Sequence, residues 1–442
     1  MRTSGKQMQQ QDVISDEALR AQVRDLLHRN MISGTRDGFT YHFTKPSPDT
    51  YPFQFFWDTC FHVFTLTALG EVDMAKKHMR SLFQMQQPDG FVGHMSYWKR
   101  LWPGRVTDLL QLRPKEVLQL YKPHMSALVQ PPLAAQAVIR IYEADKDLAF
   151  VKEMLPKLKQ LFRWLSKNRD FEGEGLLSII SPFESGMDWK ASYDPVLGYD
   201  RGKAGPLLFW KVLQVDTFNF LKNYNLPAIY KGNKFIVKDV GFNTIYAQNL
   251  RAMSALCKLA GDATAARFDD QAARTEQSIM HYMFDKKDAA FYDLYGHHFQ
   301  KLKVRTGTIF FPVVLKNVPK GICQCVLERH LLSRDGFNVD FPIPSLAVDE
   351  PAFNPHESLY IWRGPTWVVF NWFMQEHLLE KNYTEEAAML LQSVKQLIRR
   401  SGFREYYHPL TGAGYGAEDF TWSGLVVDMI KRQNECERGS CS

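Results

Sequence analysis

Apolar residues recur along nearly the whole chain at the spacing of one face of an α-helix. Tyr246, Leu250, Met253, Leu256, Cys257 and Ala260 form one such stripe, at i, i+4, i+7, i+10, i+11 and i+14. Gly261 can end that helix in a left-handed turn and Asp262 can cap the next, whose stripe is Phe268, Ala272, Ile279 and Met283. Thr384 followed by Glu385 and Glu386 marks another start, with acids at the positive end of the helix dipole. The same reading predicts about twelve helices, over 14–30, 57–69, 71–86, 125–144, 148–168, 205–223, 239–260, 263–283, 319–333, 363–380, 384–400 and 419–433. Strand signals are few: residues 288–305, alternating about Gly296, predict a small β-hairpin between helices. No Pro/Gly/Ser linker divides the chain, so residues 1–442 are expected to form one domain, frayed over 1–12 and 432–442. Twelve antiparallel helices without a linker point to an all-α fold, a single (α/α)6 barrel with a loop-built site at one end. A solenoid of helix pairs is the structural alternative, but the residues show no fixed repeat.

Composition narrows the class of function. Hydrophobic residues are 45% and charged residues 23% of 442, which is globular usage and excludes wholesale disorder. The net charge of +6 is spread along the chain without a dense basic stripe, so no nucleic-acid partner is expected. The six cysteines form no Cys-x-x-Cys pair, which removes zinc and thioredoxin patterns and predicts reduced thiols. The opening MRTSGKQMQQQD has no apolar core of a signal peptide, and no run of about 18 apolar residues occurs. The expectation is therefore a cytoplasmic protein with no membrane contact, its oligomeric state open. HExxH, P-loop, EF-hand and GxSxG patterns are absent, and the GxGxG of Gly412, Gly414 and Gly416 follows no predicted strand. No metal or organic cofactor is implied.

What stands out is aromatic excess, 31 Phe, 18 Tyr and 10 Trp, concentrated with polar groups between the predicted helices. Five segments carry the mixture: YPFQFFWD (51–58), QQPDGFVGH (86–94), ESGMDW (184–189), YIWRGPTW (360–367) and EYYHPLTGAGYGAEDFTW (405–422). In a ring of alternating helices, loops at one end converge on the axis, and these five would line one pocket. Carboxylates among rings suit glycosidic cleavage. One protonated acid must leave with the aglycone oxygen and one ionised partner must act on the sugar or on water. An apolar wall keeps the first neutral, ring faces take the sugar's C–H surface, and polar side chains take its hydroxyls.

The same segments resemble glycoside hydrolase family 63, above all its short microbial members that hydrolyse glucosylglycerate or mannosylglycerate. FQFFWDTCFH is similar to the family's Trp-Asp entrance, QPDGFVGH to its Gln/Gly/His loop and SGMDW to its acid loop. WRGPTW is similar to its Trp-Arg-Gly-Pro segment and EYYHPLTGAGYGAEDFTWSG to its base loop. The likeness runs in order from about 51 to 424. It implies an (α/α)6 barrel and an inverting α-glycosidase acting on a small soluble α-glycoside, 2-O-α-glucosyl- or mannosyl-D-glycerate first. It further implies Asp188 as general acid, beside Met187 and Trp189, and Glu405 as general base, ~6.5–9.5 Å apart for inversion. Glu418, in the same loop, is the reserve base.

Substrate-binding residues implied in the same way are Tyr51, Trp57, Asp58, His94, Gln130, Gly186, Trp362, Arg363 and Trp367, with Phe55 shaping the wall. Each has a bland counterpart. Asp58 would simply cap a helix, His94 be a satisfied loop residue, and one of the tryptophans belong to the core. Arg363 is expected to orient Asp188 or Glu405, or else to form an ion pair near Asp349 or Glu350. Lys190, Arg201 and Lys203 are candidates for an aglycone carboxylate. Rival functions are an α-glucosidase or trehalase-like disaccharide hydrolase, a sugar epimerase or isomerase working through histidines, and a non-catalytic sugar-binding scaffold.

Overall fold

A computed structural model describes residues 15–98, 124–200, 202–333 and 336–439; the expected fray at 1–12, the last residues of the tail and Arg201 lie outside them. Thirteen α-helices occur among the described residues. They are α1 (Asp16–Arg29), α2 (Phe56–Leu69), α3 (Val72–Gln84), α4 (Ala134–Asp145), α5 (Leu148–Arg169), α6 (Pro206–Leu221), α7 (Leu226–Gly232), α8 (Val240–Ala260), α9 (Ala265–Ser278), α10 (Lys320–Val326), α11 (Val368–Glu380), α12 (Thr384–Ser401) and α13 (Val426–Glu437). Local signals account for many boundaries. Ser15 accepts from the Ala18 amide ahead of Asp16 and Glu17, and Leu19, Val23, Leu26 and Leu27 form the stripe that α1 buries. Asp239 caps α8 by accepting from Phe242 N.

These helices close a double ring. The inner ring is α2, α4, α8, the 3₁₀ segment Gly307–Val314, α11 and α13, each packed on the next, with α13 returning to α2. Outside it lie α3, α5, α9, α10, α12 and α1. All 14 positions of α2 are buried, because an inner helix meets neighbours on every side and keeps no solvent stripe. Each large apolar side chain removed from water there, such as Phe61, Val63 or Leu66, contributes roughly 1.5–3 kcal/mol.

The ring has its expected number of members but not the expected set. The span 205–223 is helical as α6, yet it lies on the excursion between the Asp188 segment and α8, with Trp210 and Leu221 exposed. The inner position is instead taken by Gly307–Val314, a run apolar but for Thr308 and containing Pro312. It has no 3.6-residue stripe to read, because it winds as a 3₁₀ helix of only eight residues. Helix α4 starts at Ala134 rather than 125, and α11 at Val368 rather than 363. Pro131 and Pro132, and Pro365, hold the preceding residues extended. The tail expected to fray from 432 continues in α13 to Glu437, with Arg432 buried and paired to Asp428.

The hairpin expected at 288–305 is Asp293–Tyr295 paired with Gln300–Leu302, and Val237–Lys238 adds a third strand. Three further hairpins form, one of them Phe284–Asp285 paired with Ala290–Phe291. Met31–Arg36 pairs with Phe39–Thr44 about Asp37-Gly38, a turn dipeptide flanked by alternating residues that was there to be seen. Arg404–Tyr407 pairs with Gly414–Glu418. No described helix is long and apolar enough to cross a membrane.

Between the first hairpin, α2 and α3 sit buried neutral histidines. His78 donates from Nδ1 to the Met74 carbonyl and accepts from Thr44 Oγ1 at Nε2, both at 2.9 Å. Burial, with repulsion from His42, pushes it down to about 3, the Met74 bond opposing. Burial, with His78, holds His62 well below the ordinary range. In the unfolded chain both titrate at about 6.5. Below that pH the unfolded state binds more protons, so stability is fully present above it and is lost as pH falls. Thermal or urea unfolding between pH 7 and 5 should lose stability by up to about 1.4 kcal/mol per pH unit for each histidine. His78→Gln should be less stable at pH 7 but show a shallower slope; an unchanged slope would show that the group does not titrate on unfolding.

Candidate active site

The site forms where inner helices begin. The short strand Gln54–Phe55 pairs with Met95–Ser96 and leads into the first turn of α2. Two of the amides that the first turn leaves without helical partners are met from outside. Phe56 N donates to the His94 carbonyl at 2.9 Å and Trp57 N to Gln130 Oε1 at 3.1 Å. Those bonds bring Trp57, Asp58, His94 and Gln130 onto one wall. Gln130 just precedes α4, Trp362 and Trp367 precede α11, and Phe420 and Trp422 precede α13, so one pocket gathers several inner-helix N-termini. Its volume, mouth included, is about 670 Å³.

The Asp188 segment packs onto the same wall at Trp57. A 3₁₀ turn, Pro182–Ser185, is closed by Gly186 at φ +72°, where any Cβ would collide with the Trp57 ring. That close approach lets half-buried Asp188, two residues on, face the pocket.

Glu405 stands on the hairpin strand Arg404–Tyr407. Tyr51 Oη donates to its Oε1 at 2.6 Å and Ala417 N to its Oε2 at 2.9 Å. Gly416, at φ +67°, leaves room for this: a Cβ there would stand 2.6 Å from Oε2. Trp362 and Trp367 stack with ring centroids 3.7 Å apart and planes 10° off parallel, and Tyr406 stacks behind Trp367. Trp362 has φ +68°, a costly conformation for a bulky residue of the kind found at functional sites.

Asp58 is the third carboxylate. Trp422 Nε1 donates to its Oδ1 at 2.7 Å. Burial pushes its carboxyl up to about 7; the Trp422 bond opposes this, and Glu405 and Asp188 add to the rise.

The pocket is lined by Tyr51, Trp57, Asp58, His94, Gln130, Gly186, Asp188, Trp362, Trp367 and Glu405, all singled out from the sequence, and by Phe55. Others need correction. Asp58 is the third residue of α2 and not its cap, which is Phe55. Glu418 is not among the lining residues; it points to solvent on the hairpin edge and pairs with Arg404. Arg363 makes its charged pair with neither Asp188 nor Glu405. Its guanidinium is buried in a bidentate pair with Asp194, while Asp349 and Glu350 pair with Arg305. Lys190 is locked between Asp239 and Asp293, all buried, and Lys203 is exposed. No lysine or arginine is among the described lining residues, and no cluster of metal-ligating groups occurs among the described residues. Sequence reasoning did not single out Phe183, Phe420 and Trp422, although all three stand in or beside the aromatic segments it marked.

Residues 51–423 match the profile of the mannosylglycerate hydrolase MGH1-like glycoside hydrolase domain. The chain is 29% identical to a mannosylglycerate hydrolase of Thermus thermophilus, over 87% of this chain and 95% of that protein. It is 24% identical to the glucosylglycerate hydrolase of Mycolicibacterium hassiacum, over 87% and 93%. The crystal structure of a GH63 mannosylglycerate hydrolase from Thermus thermophilus, in complex with Tris and D-glycerate, superposes with a TM-score of 0.80. That match has 26% identity and covers 93% of this chain and 100% of that one.

The position of Asp58 has a consequence for stability. Its proton leaves the unfolded chain at about 3.9 and the folded chain at about 7, so stability falls as pH rises between those values and levels off above them. Asp58→Asn keeps an acceptor for Trp422 and removes the buried charge. It should raise the melting temperature more at pH 8 than at pH 5; a variant that melts lower at both would mean the ionised carboxylate is well accommodated.

Proposed function

The chain belongs to the mannosylglycerate hydrolase MGH1-like glycoside hydrolases, short members of glycoside hydrolase family 63, and from that premise we propose that it hydrolyses 2-O-α-mannosyl-D-glycerate or its glucosyl counterpart with inversion. The observation that carries this reading is that Asp188 and Glu405 line one ring-walled pocket together. In the proposed reaction Asp188 donates its proton to the glycosidic oxygen as the C1–O bond breaks, and glycerate leaves. Glu405 takes a proton from a water that bonds to C1 from the opposite face. Tyr51 and the Ala417 amide fix the direction of the Glu405 carboxylate, which is the orientation a general base needs.

The other lining residues then bind the sugar. Asp58 accepts from its hydroxyls with the oxygen that Trp422 leaves free. His94 and Gln130 offer further polar contacts. Trp57, Trp362 and Trp367 wall the ring. Among the described residues a single histidine lines the pocket, which disfavours an epimerase needing a pair of imidazole bases.

The test is sugar release from mannosylglycerate, glucosylglycerate, trehalose, kojibiose and maltose. Turnover should be greatest on one of the first two. Asp188→Asn and Glu405→Gln should each lower kcat by roughly 10²–10⁴-fold, and NMR of fresh product should show the β-anomer first. An early α-anomer would remove Glu405 as base, and unchanged sugar affinity with no turnover in the parent protein would leave only a binding scaffold.

A further inference from the structure

The segment carrying Asp188 is irregular, yet three of its residues within a span of eleven hold buried ion pairs: Glu184 with Arg169, Lys190 with Asp239 and Asp293, and Asp194 with Arg363. The first two tie it to its own side of the barrel. The third is different, because Arg363 stands in the segment that leads into α11. Its Nη1 donates to Asp194 Oδ1 at 2.9 Å and to the Trp189 carbonyl at 3.2 Å. Its Nη2 donates to Asp194 Oδ2 at 2.6 Å and to the Gly202 carbonyl at 3.0 Å. Trp189 directly follows Asp188.

From Arg363 the connection runs on toward Glu405. Three residues later Thr366 exchanges both backbone hydrogen bonds with Tyr407, at 2.8 and 2.9 Å, and Tyr407 is two residues past Glu405 on the same strand. A single guanidinium therefore joins the segment that presents Asp188 to the strand that presents Glu405.

We propose that Arg363 is a positioning residue that sets the separation of the two carboxylates by bracing the Asp188 segment against the Glu405 hairpin. The proposal rests on the assignment of Asp188 as acid. Arginine is required because its planar fork makes four bonds in fixed directions from two nitrogens, whereas a lysine ammonium has three donors on one nitrogen and cannot make the bidentate pair with Asp194 and both carbonyl bonds together. A displaced acid fails selectively. A glycerate leaving group needs a proton, while fluoride does not, so the α-glycosyl fluoride of the same sugar measures the site with the acid step removed.

The experiment compares the parent, Asp188→Ala, Arg363→Lys and Asp194→Asn on glycosylglycerate and on the α-glycosyl fluoride. Asp188→Ala should slow the first substrate far more than the second; if it slows both alike, Asp188 is not the acid and the functional reading itself falls. With that arm selective, Arg363→Lys should lose about 100-fold in kcat on glycosylglycerate and stay within about threefold on the fluoride. Parallel loss on both substrates, or no loss on either, overturns the brace. Asp194→Asn leaves the Arg363 bonds to the two carbonyls in place and answers the same question should Arg363→Lys not fold. Its loss should be selective too, and a parallel loss counts against the proposal.

Discussion

A closed ring of inner helices leaves each of them only its ends. Flanks are taken by neighbours and backs by the outer layer, so α2 is buried at every position. Function must then sit where the helices start or stop. Here the pocket sits at the starts of α2, α4, α11 and α13. A helix start carries unpaired amides and the positive end of a dipole, so it favours acceptors and carboxylates. Gln130 and the His94 carbonyl meet the amides of α2, and Asp58 sits in its first turn. The ring thus explains both why three acids meet and why they meet among rings, since the segments entering a packed core must be aromatic enough to fill it.

Gathering the acids works against stability. Asp58 is buried beside Asp188 and Glu405, and its charged form is disfavoured. The surrounding structure answers with directed bonds: Trp422 to Asp58, and Tyr51 and Ala417 to Glu405. The Asp188 segment, lacking a ladder of its own, is held by buried ion pairs. Such pairs gain little over apolar packing of the same shape, but removing one partner strands a charge and is strongly destabilising. They make position unforgiving, which is what proton transfer over a bond length requires.

The chemistry-bearing segments were legible because rings and carboxylates are unusual between helices. That Asp188, Glu405 and Asp58 would line one pocket could be read from the residues and the family likeness alone. Arg363 and Lys190 were misjudged for one reason: a sequence shows that a cation is near a functional motif but not which of several carboxylates it meets. Asp194 and Asp239 were as available in the sequence as Asp188. The Gly307–Val314 segment was missed because it is a 3₁₀ run of eight residues holding a glycine and a proline, with neither the length nor the 3.6-residue period by which helices are recognised. Glu418 and Glu405 share a hairpin, and only its register turns one inward and the other to solvent.

The sequence by itself therefore determined the helical class, the segments that converge and the residue types available for catalysis, because periodicity and composition are local properties. Only the tertiary structure decided which helices close the ring, which carboxylate each buried cation takes and which of two glutamates faces the pocket. Those outcomes depend on pairings between residues far apart in the chain, such as Arg363 with Asp194 or Tyr51 with Glu405, and no local pattern encodes the partner.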